Sequence, residues 1–207
     1  MSLSKYIAKQ FGNPSGIGGR IVTAVMNCQN RDQYRAALDN LELKSEDTVL
    51  DIGFGNGYLI GRLLKQKPDK ISGIELSRSM LTKVAKNYRK AVLNGTLDLR
   101  LADVKALPFA DGSFDKVCSV NTVYFWTDTD KSFTEIARTL KPGGVFVNVF
   151  YGKDFLDRMP HAKYGYEKYT AEQVVTMTEK SELEVIRVVE LMPGESYCIV
   201  AWKNADY

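Results

Sequence analysis

A single histidine and three cysteines in 207 residues leave little material for several common chemistries. Cys28, Cys118 and Cys198 are far apart and form no Cys-x-x-Cys pair, which argues against a zinc site and against a disulfide framework. Cys118 and Cys198 lie in apolar, strand-like runs, so buried free thiols are expected. Thiols of that kind suit a reducing compartment, and the cytoplasm is the default expectation. There is no Ser-His-Asp pattern, no metal-ligand cluster and no Walker lysine motif. No apolar run approaches the roughly 20 residues that span a bilayer. The apolar stretch of a signal peptide is missing too, because Lys5, Lys9 and Gln10 interrupt the first segment. The net charge of +3 is too small to point to nucleic acid or an anionic membrane surface.

What is present is ordinary for a globular domain: 44% hydrophobic and 26% charged residues, in a length that suits one domain. The most informative stretch is Val49-Leu50-Asp51-Ile52-Gly53-Phe54-Gly55-Asn56-Gly57. Val49 to Ile52 reads as a buried strand, three glycines follow at alternate positions, and Tyr58 to Lys65 has helical apolar spacing. A strand, a glycine turn and a helix bring backbone N–H groups to a ligand at the helix N-terminus. The glycines permit the turn and remove the Cβ atoms that would hold a ligand away. Asp51 ends the strand beside that loop. The dinucleotide fingerprint Gly-x-Gly-x-x-Gly fits poorly, because Tyr58 occupies the third glycine's place.

Further strands are expected over Ile71–Glu75, Leu97–Leu101, Phe114–Val120, Val145–Phe150, Glu184–Leu191 and Tyr197–Trp202. Glu75 lies about 20 residues past the glycine loop, where an acid in a doubly wound sheet accepts hydrogen bonds from ribose hydroxyls. A helix capped by Ser77 or Ser79 should bury Leu81, Val84, Ala85 and Tyr88 and end at Asn94-Gly95. Its basic face reads as solvated. Asp130 to Leu140 reads as an amphipathic helix, Lys141-Pro142-Gly143-Gly144 as a turn, and Thr170 to Gln173 as a capping start for a helix reaching about Lys180. Residues 1–43 form a helical arm ahead of a core at 44–207. Within the arm a helix is expected over Arg31–Leu41, with Tyr34, Leu38 and Leu41 along one side. The arm either packs against the sheet or closes over a ligand as a lid.

Asp51 followed by Gly53-Phe54-Gly55-Asn56-Gly57 resembles motif I of the class I S-adenosylmethionine (SAM) dependent methyltransferases. Ala102-Asp103, Leu107-Pro108-Phe109, Asp111, Ser113-Phe114-Asp115 and Leu140-Lys141-Pro142-Gly143-Gly144 extend the resemblance in the family's order and spacing, in its small-molecule type. The resemblance implies an α/β fold: a doubly wound, mainly parallel seven-stranded sheet with helices on both faces and an antiparallel C-terminal edge hairpin. It implies SAM as methyl donor and S-adenosylhomocysteine (SAH) as product. In that reading Asp51 helps hold the methionine ammonium, and Gly53, Phe54 and Gly55 line the methionyl and ribose portion. Glu75 binds the ribose hydroxyls, Leu76 and Met80 pack on the adenine, Asp103 accepts from the adenine amino group, and the Val104 N–H meets the ring. Asn121 and Thr122 reach the methionyl end, mostly by backbone.

The acceptor is less legible. Asn121-Thr122-Val123-Tyr124 departs from the Asp/Asn-Pro-Pro-Tyr pattern of amino-directed nucleic-acid methyltransferases, which turns the expectation toward a small-molecule acceptor with no nucleic-acid or membrane partner. RNA or protein methylation, or SAM binding without catalysis, remain the alternatives, and a monomer or a homodimer would serve. Tyr124, Phe125 and Trp126 fall where the acceptor pocket begins, although aromatic residues there are as often core. His161 and Tyr124 are the only candidates for a base, and His161 reads more readily as a lone surface histidine with no role. In the arm, Tyr6, Phe11, Met26, Asn27 and Asn30 are the residues that could close over a ligand.

Overall fold

The computed structural model describes residues 28–163 and 165–204. Its centre is β1 (Thr48–Ile52), in which Val49, Leu50, Asp51 and Ile52 are all buried, so the strand is covered on both faces. The chain runs outward through β2 (Lys70–Glu75) to β3 (Leu97–Leu101), then returns to the other side of β1 for β4 (Phe114–Val120) and β5 (Leu140–Tyr151). The hairpin of β6 (Leu183–Met192) and β7 (Ser196–Lys203) completes a seven-stranded sheet of order β3-β2-β1-β4-β5-β7-β6. The first five strands pair in parallel, and β7 lies antiparallel between β5 and β6. This is the expected doubly wound sheet with its antiparallel edge hairpin. The strand order reverses between β1 and β4, and that point opens a crevice at the carboxyl ends of both strands.

Alternation along the strands divides the core in two. Val49, Cys118, Val147 and Val149 face α1 (Arg31–Leu41), α2 (Tyr58–Gln66) and α3 (Arg78–Asn87) through Ala37, Leu41, Ile60, Leu63 and Val84. Leu50, Ile52, Val117, Phe146 and Phe150 face α5 (Thr129–Thr139) and α7 (Ala171–Glu179) through Phe133, Ile136 and Val174. Thr170 caps α7 in a full capping box with Gln173. Cys118 and Cys198 are buried free thiols, as expected. No helix among the described residues is long and apolar enough to cross a membrane.

Two local expectations need correction. The helix led by Ser77 stops at Asn87, Tyr88 takes a non-helical conformation, and a separate short α4 (Arg89–Leu93) follows. Tyr88 has left the helical path because its hydroxyl donates to the Gly57 carbonyl at 3.1 Å. Lys141–Gly144 is not a turn that precedes a strand. It is carried within β5, where Phe114 pairs with Leu140 and Lys116 with Val145, so four residues of β5 bulge opposite Asp115. A Cβ on Gly144 would lie 2.8 Å from the Lys141 oxygen and 3.1 Å from that of Asp115, so only glycine closes the bulge.

The Leu107–Asp111 run is stapled to α5, while α6 (Lys153–Arg158) follows β5. The Arg138 guanidinium donates to the carbonyls of Leu107 and Phe109 at 3.1 and 2.9 Å, and it pairs with Asp111 and Glu135 at 2.7 Å each. Glu135 in turn accepts the Leu107 N–H at 2.7 Å. Hydrogen bonds from Arg138 hold the Glu135 carboxyl below its ordinary range. Replacing Arg138 with Ala strands these acceptors. It should lower stability by about 2 kcal/mol, in the range for hydrogen bonds to a charged group, with Arg138→Lys recovering only part of the loss. Urea denaturation measures it, and an unchanged midpoint for Arg138→Ala would rule out the staple.

Candidate functional site

The glycine loop takes its shape from three left-handed residues, Gly53 (φ 70°), Gly55 (φ 51°) and Gly57 (φ 79°). At Gly53 a Cβ would lie 2.5 Å from the Thr122 methyl group, so the loop after β4 packs directly on the glycine. Around Gly55 the nearest atom to such a Cβ is the Gly53 oxygen at 3.9 Å. One glycine is therefore closed by the protein, and the other faces open space that a ligand can fill.

Glu75, at the end of β2, fixes this loop. One carboxylate oxygen accepts the Gly55 N–H and the other accepts the Ser77 N–H, each at 2.9 Å. Each oxygen keeps a further lone pair, so the oriented carboxylate can still accept two hydroxyls of a vicinal diol. The Gly53 N–H bonds the Ile74 carbonyl at 2.9 Å, which joins the loop to the same strand end.

Asp51 is only 2% exposed, and its Oδ2 has no hydrogen-bond partner. Its other oxygen has the Cys118 thiol at 4.0 Å. Burial first, and the Glu75 charge second, push its pKa up from 3.8 to about 8. A buried acid with an orphaned oxygen, next to a second acid, is a receptor for a cation. Among the described residues no cluster of three or more His, Cys, Asp or Glu is placed to hold a metal ion.

The remaining sequence candidates are placed as follows. Asp103 caps the turn Val104–Ala106 by accepting the Lys105 N–H at 3.2 Å, with the Lys105 ammonium at 3.6 Å. Met80 and Val104 are buried, whereas Leu76 is 62% exposed. Asn121 adopts φ 58°, a strained conformation for a residue with a side chain. Its amide donates to Gln33 at 2.6 Å and accepts from the Tyr124 hydroxyl at 3.0 Å. Tyr124 is buried, its hydroxyl also accepts the Tyr151 N–H, and burial raises its pKa well above that of an ordinary phenol. Trp126 packs edge-on against Phe133, 5.3 Å between rings, so it belongs to the core and not to a pocket wall. His161 stands on the turn Pro160–Lys163. Tyr6, Phe11, Met26 and Asn27 lie outside the described residues.

The sequence reading missed Gln33, Tyr34 and Tyr151. Helix α1 packs on β4 and β5 and brings its first turn to their carboxyl ends. There the Tyr151 hydroxyl donates to Asn30 at 3.1 Å. Burial, above all, raises Tyr34 to about 12, and the Asp51 charge adds to the rise. These residues come from distant parts of the chain, and no local pattern announces them.

The site thus presents an orphaned buried acid, a second acid braced by two backbone N–H groups, and an open glycine. Residues 50–148 match the methyltransferase domain family, and the fold of the chain is the one seen in class I, SAM-dependent methyltransferases. The chain is 31% identical over 121 residues to the uncharacterized methyltransferase YdaC of Bacillus subtilis, which covers 58% of this chain and 65% of that protein. It is 31% identical over 137 residues to the demethylmenaquinone methyltransferase of Desulfitobacterium hafniense, covering 65% and 53%. The chain thus spans less than two thirds of either relative. Geranyl diphosphate methyltransferase in complex with SAM superposes with a TM-score of 0.77 at 17% identity, over 94% of each chain.

The Asp51 shift sets a pH dependence. In the free protein Asp51 keeps its proton up to about pH 8, while a bound ammonium favours the ionised form. SAM binding near pH 6.5 should therefore release about one proton, and affinity should rise by up to about tenfold per pH unit. The rise ends near pH 8, where Asp51 ionises unaided and the ligand's own amine, with an ordinary pKa of about 8, starts to lose its charge. The folded pKa lies above the unfolded one, so the free fold loses stability as pH climbs from 3.8 toward about 8. Calorimetry in buffers of different ionisation enthalpy counts the proton, and Asp51→Asn should abolish its release. Wild-type binding without proton release would show that Asp51 does not meet the ammonium.

Proposed function

We propose that the protein transfers the methyl group of SAM to a small organic acceptor by in-line displacement. The observation that carries the reading is Asp51 with its unpartnered oxygen beside the braced Glu75, which together suit the two polar ends of SAM. The sulfonium supplies an already activated methyl group when bound. The chain's own task is then to orient two reactants and keep water away, which needs no dedicated base.

Aromatic rings beyond the carboxyl ends of β4 and β5 suit a small acceptor. Tyr124 stacks on Tyr166 with centroids 5.6 Å apart, Phe125 meets Tyr166 edge-on at 4.7 Å, and Tyr151 stacks on Phe155 at 4.4 Å. Phe125 is 42% exposed, which offers a face for a flat or apolar molecule. Curated relatives named for methylation of small compounds, such as the demethylmenaquinone enzyme, support the same class.

Two measurements test this. Glu75→Ala removes the diol contacts and the brace of the loop together. It should weaken SAM binding by about 1.5–3 kcal/mol in a folded protein; unchanged affinity would take Glu75 out of the site. A screen with methyl-labelled SAM against small phenols, quinols, amines and isoprenoids should find an acceptor whose turnover falls at least tenfold in Phe125→Ala. Label transfer to RNA or protein, and to no small compound, would overturn the assigned class.

A further inference from the structure

A chain of hydrogen bonds crosses the carboxyl end of the sheet, and its direction is fixed at one terminus. The Tyr151 backbone N–H can only donate, and it donates to the Tyr124 hydroxyl. That hydroxyl passes its own proton to the Asn121 Oδ1 at 3.0 Å. The Asn121 amide is thereby oriented with its nitrogen toward Gln33, and it donates to the Gln33 Oε1 at 2.6 Å. Reversing the Asn121 amide would leave the buried Tyr124 proton without an acceptor. Gln33 must then present its Nε2 at the end of the chain. That nitrogen is buried, in a residue only 2% exposed, and has no partner.

Two buried groups of opposite character are thus left unsatisfied at one end of the site. Gln33 offers N–H donors, and Asp51 offers an acceptor. They do not satisfy each other, although Tyr34, the next residue after Gln33, feels the Asp51 charge, and Asn121 adjoins Thr122, which packs on Gly53. Leaving a buried polar group unpaired is costly, so a ligand that satisfies both is favoured. A zwitterionic amino acid does so, with its ammonium at Asp51 and its carboxylate at an N–H donor.

We propose that Gln33 binds the carboxylate of the cofactor's amino-acid end and that the Tyr151–Tyr124–Asn121 relay orients it for that contact. This rests on the reading of the site as one for SAM and adds a contact from helix α1, outside the matched methyltransferase domain. Asn121 acts in it as a positioning residue, which gives its left-handed backbone a purpose.

The test compares two ligands by calorimetry: SAH, and 5′-methylthioadenosine, which lacks the amino-acid end. Gln33→Leu should weaken SAH binding about tenfold or more, as expected for one charge-assisted hydrogen bond, and leave methylthioadenosine within about twofold. Gln33→Glu keeps the acceptor for Asn121 but sets an acid against the carboxylate, so it should weaken SAH further and again spare methylthioadenosine. Equal losses for both ligands, or an unchanged SAH affinity in either variant, would overturn the assignment. Loss of acceptor turnover alone, with SAH binding intact, would move Gln33 to the acceptor and overturn it too. Wild-type protein that binds neither ligand would remove the cofactor reading together with this contact.

Discussion

The site depends on one carboxylate holding two backbone N–H groups. Three left-handed glycines in five residues would leave the segment after β1 with large conformational freedom, and that freedom is costly to remove on ligand binding. Glu75 removes it beforehand, by taking Gly55 with one oxygen and Ser77 with the other. Each such bond to a charged group contributes about 1.5–3 kcal/mol, enough to set the loop. Helix α3 works with it from both ends. Its first residues follow Ser77, and just past its end Tyr88 reaches back to the Gly57 carbonyl. A Cβ at Gly61 would lie 2.3 Å from the Tyr88 hydroxyl, so the missing side chain in the middle of α2 makes room for that second tie.

The same geometry places two acids near each other, and it resolves the conflict by burial. Glu75 is satisfied by backbone donors, whereas Asp51 is enclosed and unpaired, so the repulsion falls on Asp51. A domain selected for stability alone would place an apolar residue at that position in β1, where Leu50 and Ile52 already are. The free protein accepts the destabilisation, which on the proposed reading the ligand's cation relieves. Local cost of this kind marks a functional position more reliably than a glycine pattern does.

How much of this the sequence carried depends on separation along the chain. The strand, the glycines and the helix from Val49 to Lys65 are contiguous, and Glu75 follows at a spacing set by one βαβ unit, so both were legible. Gln33 meets Asn121 across 88 positions and Tyr151 meets Asn30 across 121, and no periodicity encodes such pairs. Composition also misled in places. Lys-Pro-Gly-Gly has the make-up of a turn, yet the pairing of Phe114 with Leu140 absorbs it as a bulge. Trp126, which the sequence left open between pocket wall and core, packs on Phe133 and the α5 face. The Leu107–Asp111 motif strengthened the resemblance to methyltransferases, although Arg138 and Glu135 use its carbonyls and N–H for packing. A family motif can therefore serve the packing of the fold.

These placements divide the crevice into two parts with different chemistry. The side under β1 and β2 is built from backbone N–H groups and carboxylates tied to strand ends, and its geometry is set by the sheet itself. Beyond β4 and β5 the wall is made of rings carried on the turn Val123–Phe125 and on the segment between α6 and α7, where Glu167 N–H bonds the Tyr124 carbonyl at 3.0 Å. Those rings can change size or polarity without touching Glu75 or Asp51. On the proposed reading, acceptor choice rests on Phe125 and Tyr166, whereas Tyr124 is tied through Asn121 to Gln33 on the donor side. The scarcity of histidine and cysteine fits this division, because a pre-activated methyl group needs its partner oriented and not deprotonated by a strong base.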